Sequence, residues 1–117
     1  MEIKLKRTYD APSPDDGYRV LVDKLWPRGL SHENFHYDLW EKQLAPSKEL
    51  REWFHADQDG RASEFDSRYE AELKSNPAFL PFVNTIRTHP VVTFLYSSRD
   101  RTDNNAVVLR KAVLDAL

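Results

Sequence analysis

The sequence predicts an α/β fold: a small single domain, 1–117, in which a partly parallel sheet of about three to four strands is flanked by helices. Two short apolar runs rich in β-branched residues, at 19–25 and 91–96, are typical of strands buried on both faces. Each run is followed by polar residues and then by helical periodicity, which is the order expected of parallel strands with helical connections. A chain of 117 residues is long enough for one core.

The composition is typical of a soluble globular protein, with 40% hydrophobic and 31% charged residues. No apolar run approaches the ~20 residues that a transmembrane helix needs. The N-terminal sequence MEIKLKRTYD lacks the apolar segment of a secretory signal. The chain contains no cysteine, which removes disulfides, thiolate nucleophiles and zinc–thiolate sites. We therefore expect a cytoplasmic protein without a membrane partner.

The N-terminal part of the chain is predicted to contribute two strands joined by a loop. Apolar and charged residues alternate over 2–8, which indicates a half-exposed strand. The segment 11–17 contains two prolines and ends with Asp-Asp-Gly, a composition typical of loops. The buried strand at 19–25 is then stopped by Pro27 and Gly29.

The segment after this strand fits two interpretations. Aromatic residues and a leucine alternate with polar residues over 35–39 as in a strand, whereas Leu39, Trp40 and Leu44 would suit a helix. The aromatic content favours a short strand at 36–41.

A helix is predicted to begin after Ser47, whose hydroxyl can accept a free backbone N–H, and to end near His55. Residues 57–60 are predicted to form a loop. The acidic residues over 55–66 partly fit a calcium-loop pattern, but His55 stands where the first acid is needed. A connecting loop with an aspartate cap is the simpler interpretation, and no metal site is predicted.

The next helix has the clearest periodicity, because Phe65, Tyr69 and Leu73 lie at i, i+4 and i+8. On its outer face, Glu70 and Lys74 have the spacing of an ion pair.

Two further helices are predicted, over 79–87 and 106–117. We expect Leu80 to face inward from the first and Leu117 from the second.

Polar side chains follow both predicted buried strands. Asp23 and Arg28 lie at the end of the first, and Ser97, Ser98 and Arg99 lie between the second and a helix N-terminus. Ligands of open α/β sheets bind beyond the carboxyl ends of the strands, so we expect these side chains to share one edge.

The residue types at this edge predict a binding site for a small anion, a phosphate or a carboxylate. Arginine guanidinium groups and a helix N-terminus both suit such a ligand, and Arg51 is expected nearby. Asp23 or Asp100 would orient the ligand or act as acid or base. The simpler alternative is structural, with Asp23 paired to Arg28 or Arg99. No motif specifies a reaction or a cofactor, so the sequence leaves open whether the protein is an enzyme.

A second hypothesis is a non-catalytic module that binds a protein or a nucleic acid through the same face. It requires a contiguous basic strip around Lys24, Arg28, Arg99 and Arg101. The net charge of −2 argues against non-specific nucleic-acid binding, which relies on a basic surface.

Four stretches of the chain resemble, in order and spacing, the YeaO-like family of small bacterial proteins of unknown function. They read VLVDKLWPRGL, DLWEKQLAPSKELREWF, FDSRYEAEL and VVTFLYSSRDRTDNNAVVLRKAV. The resemblance covers residues 3–115 and implies a cytoplasmic single-domain α/β protein with no established reaction, cofactor or partner. Lys24 stands where the family pattern usually has arginine, and Tyr96 stands where longer relatives carry a cysteine-containing motif.

Overall fold

The computed structural model describes residues 1–117 and contains one sheet of four strands, all parallel. From one edge to the other the strands are β1 (Glu2–Arg7), β4 (Val91–Tyr96), β2 (Tyr18–Leu21) and β3 (Leu39–Trp40). The helices are α1 (Lys48–His55), α2 (Gln58–Ser75), α3 (Phe79–Ile86) and α4 (Asn105–Ala116). The predicted α/β class is confirmed, and the sheet is parallel throughout. None of the helices combines the length and apolar character needed to cross a bilayer.

The central strand is β4, which pairs with β1 on one side and β2 on the other. Its register places Val92 beside Ile3, and Phe94 beside both Leu5 and Val20. A strand with two neighbours and two covered faces has no solvent-exposed side, which explains its nearly continuous apolar sequence.

Alternate residues of each strand face opposite sides of the sheet and divide the core in two. On one side, Val20 and Phe94 belong to the main core, to which all four helices contribute. On the other side, Leu21 and Leu95 pack against aromatic side chains of the loop 22–38. The helices therefore lie on one face, and an aromatic loop covers the other.

The strand predicted at 19–25 is shorter than expected, since β2 ends at Leu21. The backbone N–H of Val22 still donates to the carbonyl of Leu95, but the chain then turns, and Leu25 is 68% exposed. At this turn the carboxylate of Asp23 accepts the backbone N–H of Ser97, in the segment that follows β4. The strand predicted at 36–41 is likewise reduced to the two residues of β3.

The loop predicted at 57–60 is wrong, because α2 begins at Gln58. The side chain of Asp57 accepts the backbone N–H of Gly60 at 3.1 Å and caps the helix. Only Ala56 and Asp57 therefore separate α2 from the end of α1.

Three predicted side-chain positions are also wrong. Leu80 and Leu117 are 63% and 50% exposed rather than inward. Glu70 forms an ion pair of 3.8 Å with Lys111 of α4 instead of pairing with Lys74. Helical spacing shows which residues share a face, but the packing between α2 and α4 decides which partner Glu70 meets.

A buried ion pair lies beside the sheet, between Asp16 and Arg19, which are 2% and 3% exposed. Lys6 also donates to the carboxylate of Asp16 at 3.0 Å, and the hydroxyl of Thr93 donates to the Asp16 carbonyl at 2.7 Å. The next residue, Gly17, has φ 63° and lies against Val91. The residues just before β2 are therefore bonded to β1 through Lys6 and to β4 through Thr93.

Candidate functional site

The carboxyl end of the sheet carries a cavity of about 530 Å³. It lies between the segments that follow β1, β2 and β4, the helices α1 and α2, and the N-terminus of α4. The lining residues are Tyr9, Asp23, Lys24, Leu25, Trp26, Pro27, Arg28, Pro46, Arg51, Phe54, His55, Ala62, Phe65, Asp66, Ser97, Ser98, Asp103, Asn104 and Asn105. The set includes five side chains predicted from the sequence: Asp23, Arg28, Arg51, Ser97 and Ser98.

Arg99 and Asp100, also predicted as site residues, do not line the cavity. Asp100 is exposed, and its carboxylate accepts the backbone N–H groups of Thr102 and Asp103 at 3.0 and 2.9 Å. The hydrogen bond from Asp103 is the main reason why the pKa of Asp100 is lowered. Asp100 therefore holds its own turn, while the side chain of Arg99 is exposed.

Asp23 connects three segments at the floor of the cavity. Its carboxylate accepts the backbone N–H of Ser97 at 2.8 Å and the side-chain amide of Asn105 at 3.1 Å. Its carbonyl accepts the indole N–H of Trp40 at 2.8 Å. The end of β2 is thereby joined to the segment after β4 and to the first residue of α4.

The expected salt bridge of Asp23 with Arg28 or Arg99 does not form, since Asp23 has no cationic partner within ion-pair distance. Burial raises the pKa of Asp23 above its ordinary value, and the hydrogen bonds from Asn105 and Ser97 only partly offset this. Asp23 can therefore hold a proton at a higher pH than an exposed aspartate does.

Arg51 reaches the cavity from α1, and α2 fixes the start of that helix. Ser47, the N-cap of α1, donates its backbone N–H and its hydroxyl to the carboxylate of Glu72 at 2.9 and 2.5 Å. The Nε atom of Arg51 is buried and has no hydrogen-bond partner in the protein. Arg51 lines the cavity and forms no ion pair in the protein, so its terminal nitrogens are available to an acceptor there.

Arg28 and Tyr9 lie together at the mouth of the cavity. The hydroxyl of Tyr9 donates to the carbonyl of Arg28 at 2.9 Å, which ties the segment after β1 to the segment after β2. The side chain of Arg28 is exposed and forms no ion pair, so it remains free to meet a ligand.

The backbone of Ser97 and Ser98 is held by Arg7, whose guanidinium donates to their carbonyls at 2.9 and 2.8 Å. The hydroxyl of Ser97 lies 3.1 Å from that of Thr8, and the hydroxyl of Ser98 accepts the backbone N–H of Asp100 at 3.2 Å. Both serines are therefore fixed by residues outside the cavity that they line.

A bidentate ion pair joins Asp10, in the segment after β1, to Arg101, in the segment after β4, with distances of 3.0 and 2.9 Å. The hydrogen bond from Arg101 is the largest cause of the lowered pKa of Asp10, which falls from 3.8 to about 2. Because this pKa lies below that of the unfolded chain, the pair stabilises the protein above about pH 4, and the contribution is lost as the pH falls towards 2.

The variant Asp10→Asn should therefore be less stable than the wild type at pH 6, and the difference should shrink between pH 4 and pH 2. Urea denaturation of both proteins across this range measures the effect. A difference that is as large at pH 2 as at pH 6 would contradict the assignment of the shift to ionised Asp10.

Comparison with known proteins gives a match to a family model over residues 2–117, described as "Inactive DUF488-N3 subclade". The chain belongs to this family. It is 40% identical over 109 residues to the uncharacterised protein YeaO of Escherichia coli, covering 93% of this chain and 94% of that protein. It is 41% identical over 107 residues to uncharacterised proteins of Mycobacterium bovis and Mycobacterium tuberculosis, covering 92% of this chain and 89% of each of those proteins. No solved structure matches.

These relatives confirm the YeaO-like resemblance, and their names assign no function. The cavity of this DUF488-N3 member also contains side chains that sequence reasoning did not assign to a site. Tyr9 and Asn105 are the main polar examples, and Phe54 and Phe65 are apolar ones. Tyr9 could have been predicted, because the residues after β1 lie at the same edge as those after its parallel neighbours. Phe54 and Phe65 have helical spacing that equally fits a core.

No group of three or more His, Asp or Glu side chains is placed to hold a metal ion. The arrangement can bind an anion through Arg51 and Arg28 and can hold a proton at Asp23.

Proposed function

We propose that this protein binds a small organic anion, a carboxylate or a phosphate, in the cavity at the carboxyl end of the sheet, and that it does so without turnover. The observation that carries the proposal is the guanidinium of Arg51, which lines the cavity and forms no ion pair in the protein. An anionic ligand would supply acceptors to the terminal nitrogens of this guanidinium, through charge-assisted hydrogen bonds of about 1.5–3 kcal/mol each.

The surroundings of Arg51 support the same ligand. Arg28 lies at the mouth, where its charge can attract an anion before it enters. Asn105 at the start of α4 places the positive end of the helix dipole at the cavity wall. The guanidinium of Arg51 can form two parallel hydrogen bonds with one carboxylate or phosphate.

Binding without a reaction is supported by two features. The matched family is described as inactive. The chain also has no cysteine, so thiol chemistry has no residue to use. The same lack of cysteine leads us to place the protein in the cytoplasm.

The alternative, a nucleic-acid- or protein-binding module, has less support. Arg101, one of the residues required for a basic strip, is paired with Asp10. The cavity also carries the carboxylates of Asp23, Asp66 and Asp103, so this face is not the continuous basic surface that a nucleic-acid backbone requires. A small ligand inside the cavity fits these features better than a polyanion across its mouth.

Calorimetric titration of the wild type with inorganic phosphate, benzoate and 3-phenylpropionate tests the proposal. We expect at least one of these anions to bind, and Arg51→Met to weaken that binding about 10- to 100-fold, the effect of one charge-assisted hydrogen-bonded contact. Methionine retains an unbranched apolar stem, so the ligand-free variant should be at least as stable as the wild type.

The matched control is Arg87→Met, which removes an exposed arginine that does not line the cavity. Its affinity should equal that of the wild type. The proposal fails if none of the anions binds, or if Arg51→Met and Arg87→Met bind equally well.

A further inference from the structure

The cavity holds unpaired charge of both signs, and we propose that its ligand is a zwitterion, an α-amino acid with an apolar or aromatic side chain. Its carboxylate would bind Arg51 and its ammonium group would bind Asp23. This inference rests on the proposed function, because it names the class of ligand that the same cavity accepts.

The first argument is the state of Asp23. It has no cationic partner, and burial favours its protonated form. An ammonium group beside it would favour the carboxylate form and compensate its charge. The backbone N–H of Ser97 donates to one of its carboxylate oxygens, and the side-chain amide of Asn105 donates to the other. A carboxylate has about four acceptor positions, so Asp23 retains capacity for a further donor from within the cavity.

The second argument is the number of carboxylates that a ligand would meet. Asp66 and Asp103 line the cavity together with Asp23. Burial, followed by repulsion from Asp103 and Glu70, raises the pKa of Asp66. An anionic group placed beside these carboxylates would add to this repulsion, whereas an ammonium group there would reduce it.

The third argument is the shape and chemistry of the walls. Leu25, Trp26, Phe54 and Phe65 contribute apolar surface to a cavity of about 530 Å³. That volume lies in the range of small-molecule pockets and is far more than one carboxylate or phosphate fills. The ligand is therefore expected to carry an apolar body beside its charged groups.

The test uses two amino acids and their deaminated analogues as probes: phenylalanine with 3-phenylpropionate, and leucine with 4-methylpentanoate. Within each pair the carboxylate and the apolar body are the same, so the difference reports the ammonium group alone. We expect at least one amino acid to bind the wild type at least about tenfold more tightly than its analogue, the factor for one charge-assisted hydrogen bond. Phenethylamine, which lacks the carboxylate, should bind less tightly than phenylalanine.

The variant Asp23→Asn should remove the preference for the amino acid while binding of the deaminated analogue persists. Circular dichroism checks that this variant is folded, and the comparison of probes on the wild type decides the inference independently of it. If the deaminated analogues, benzoate or phosphate bind as tightly as the amino acids, the zwitterion inference is overturned and the anion site stands. If no probe binds, both proposals fail.

Discussion

Replacing Asp16 with asparagine is expected to destabilise the protein by about 3–5 kcal/mol, because it leaves the guanidinium of Arg19 buried without a counter-ion. Arg19 is 3% exposed, so water cannot replace the lost carboxylate. Burial opposes ionisation of Asp16, but hydrogen bonds from the Ser13 backbone, Lys6 and Arg19 keep its pKa below the ordinary value. The carboxylate is therefore charged in the folded protein at neutral pH.

Urea denaturation at pH 7, followed by circular dichroism, measures this loss. Glu64→Gln is the matched control, since it breaks the exposed pair in which Arg68 donates to Glu64 at 2.7 Å, and such pairs contribute under about 1 kcal/mol. Adding Arg19→Met to Asp16→Asn should recover part of the stability, because the buried charge is then removed. Equal losses for Asp16→Asn and Glu64→Gln would contradict this account.

Replacing Gly17 with alanine is expected to cost about 3 kcal/mol or more, through backbone strain and a steric clash together. Gly17 has φ 63°, which L side chains rarely adopt. A Cβ atom at this position would overlap the carbonyl oxygen of Val91 and lie 2.9 Å from the Val91 Cβ. Val91 is the first residue of the central strand and pairs with Glu2 of β1, and the next residue, Val92, pairs with both β1 and β2, so Val91 has little freedom to move.

The control for this variant is Gly29→Ala. Gly29 also has a positive φ, 80°, but no atom lies within 4 Å of the position of its Cβ. It therefore isolates the strain, which for a single residue in this region costs about 1–2 kcal/mol. Thermal and urea unfolding of both variants should show the larger loss for Gly17→Ala, and equal losses would show that the contact with Val91 carries no cost.

Much of the fold follows from the sequence because most of its apolar patterns correspond to buried faces. β4, α1 and α2 are predicted with few errors. In α2, for example, Phe65, Tyr69 and Leu73 all lie in the core, as their spacing predicts. The predicted burial of Leu25 and Leu80 is wrong, because each is apolar yet exposed. Whether an apolar residue is covered depends on which segment lies opposite it, and local spacing carries no such information.

The candidate site was predictable to the extent that it depends on sheet topology. Asp23, Ser97 and Ser98 meet because the carboxyl ends of parallel strands share an edge. Arg99 and Asp100 lie in the same loop but outside the cavity, because Asp100 is turned towards the backbone of its own turn. The direction of a loop side chain depends on such local hydrogen bonds, which residue spacing does not specify.

The order of strands in the sheet, β1-β4-β2-β3, also constrains when the protein can fold. β1 and β2 emerge first during synthesis, but each pairs with β4 and not with the other. Neither can complete its backbone hydrogen bonds until the ribosome has made residues 91–96. The cavity has the same dependence, because Asp23 meets Ser97 and Asn105 only after β4 has inserted between its neighbours. A nascent chain therefore completes its sheet and its cavity together, once β4 and the start of α4 are available. Until then β1 has no partner strand, and β2 can pair only with β3.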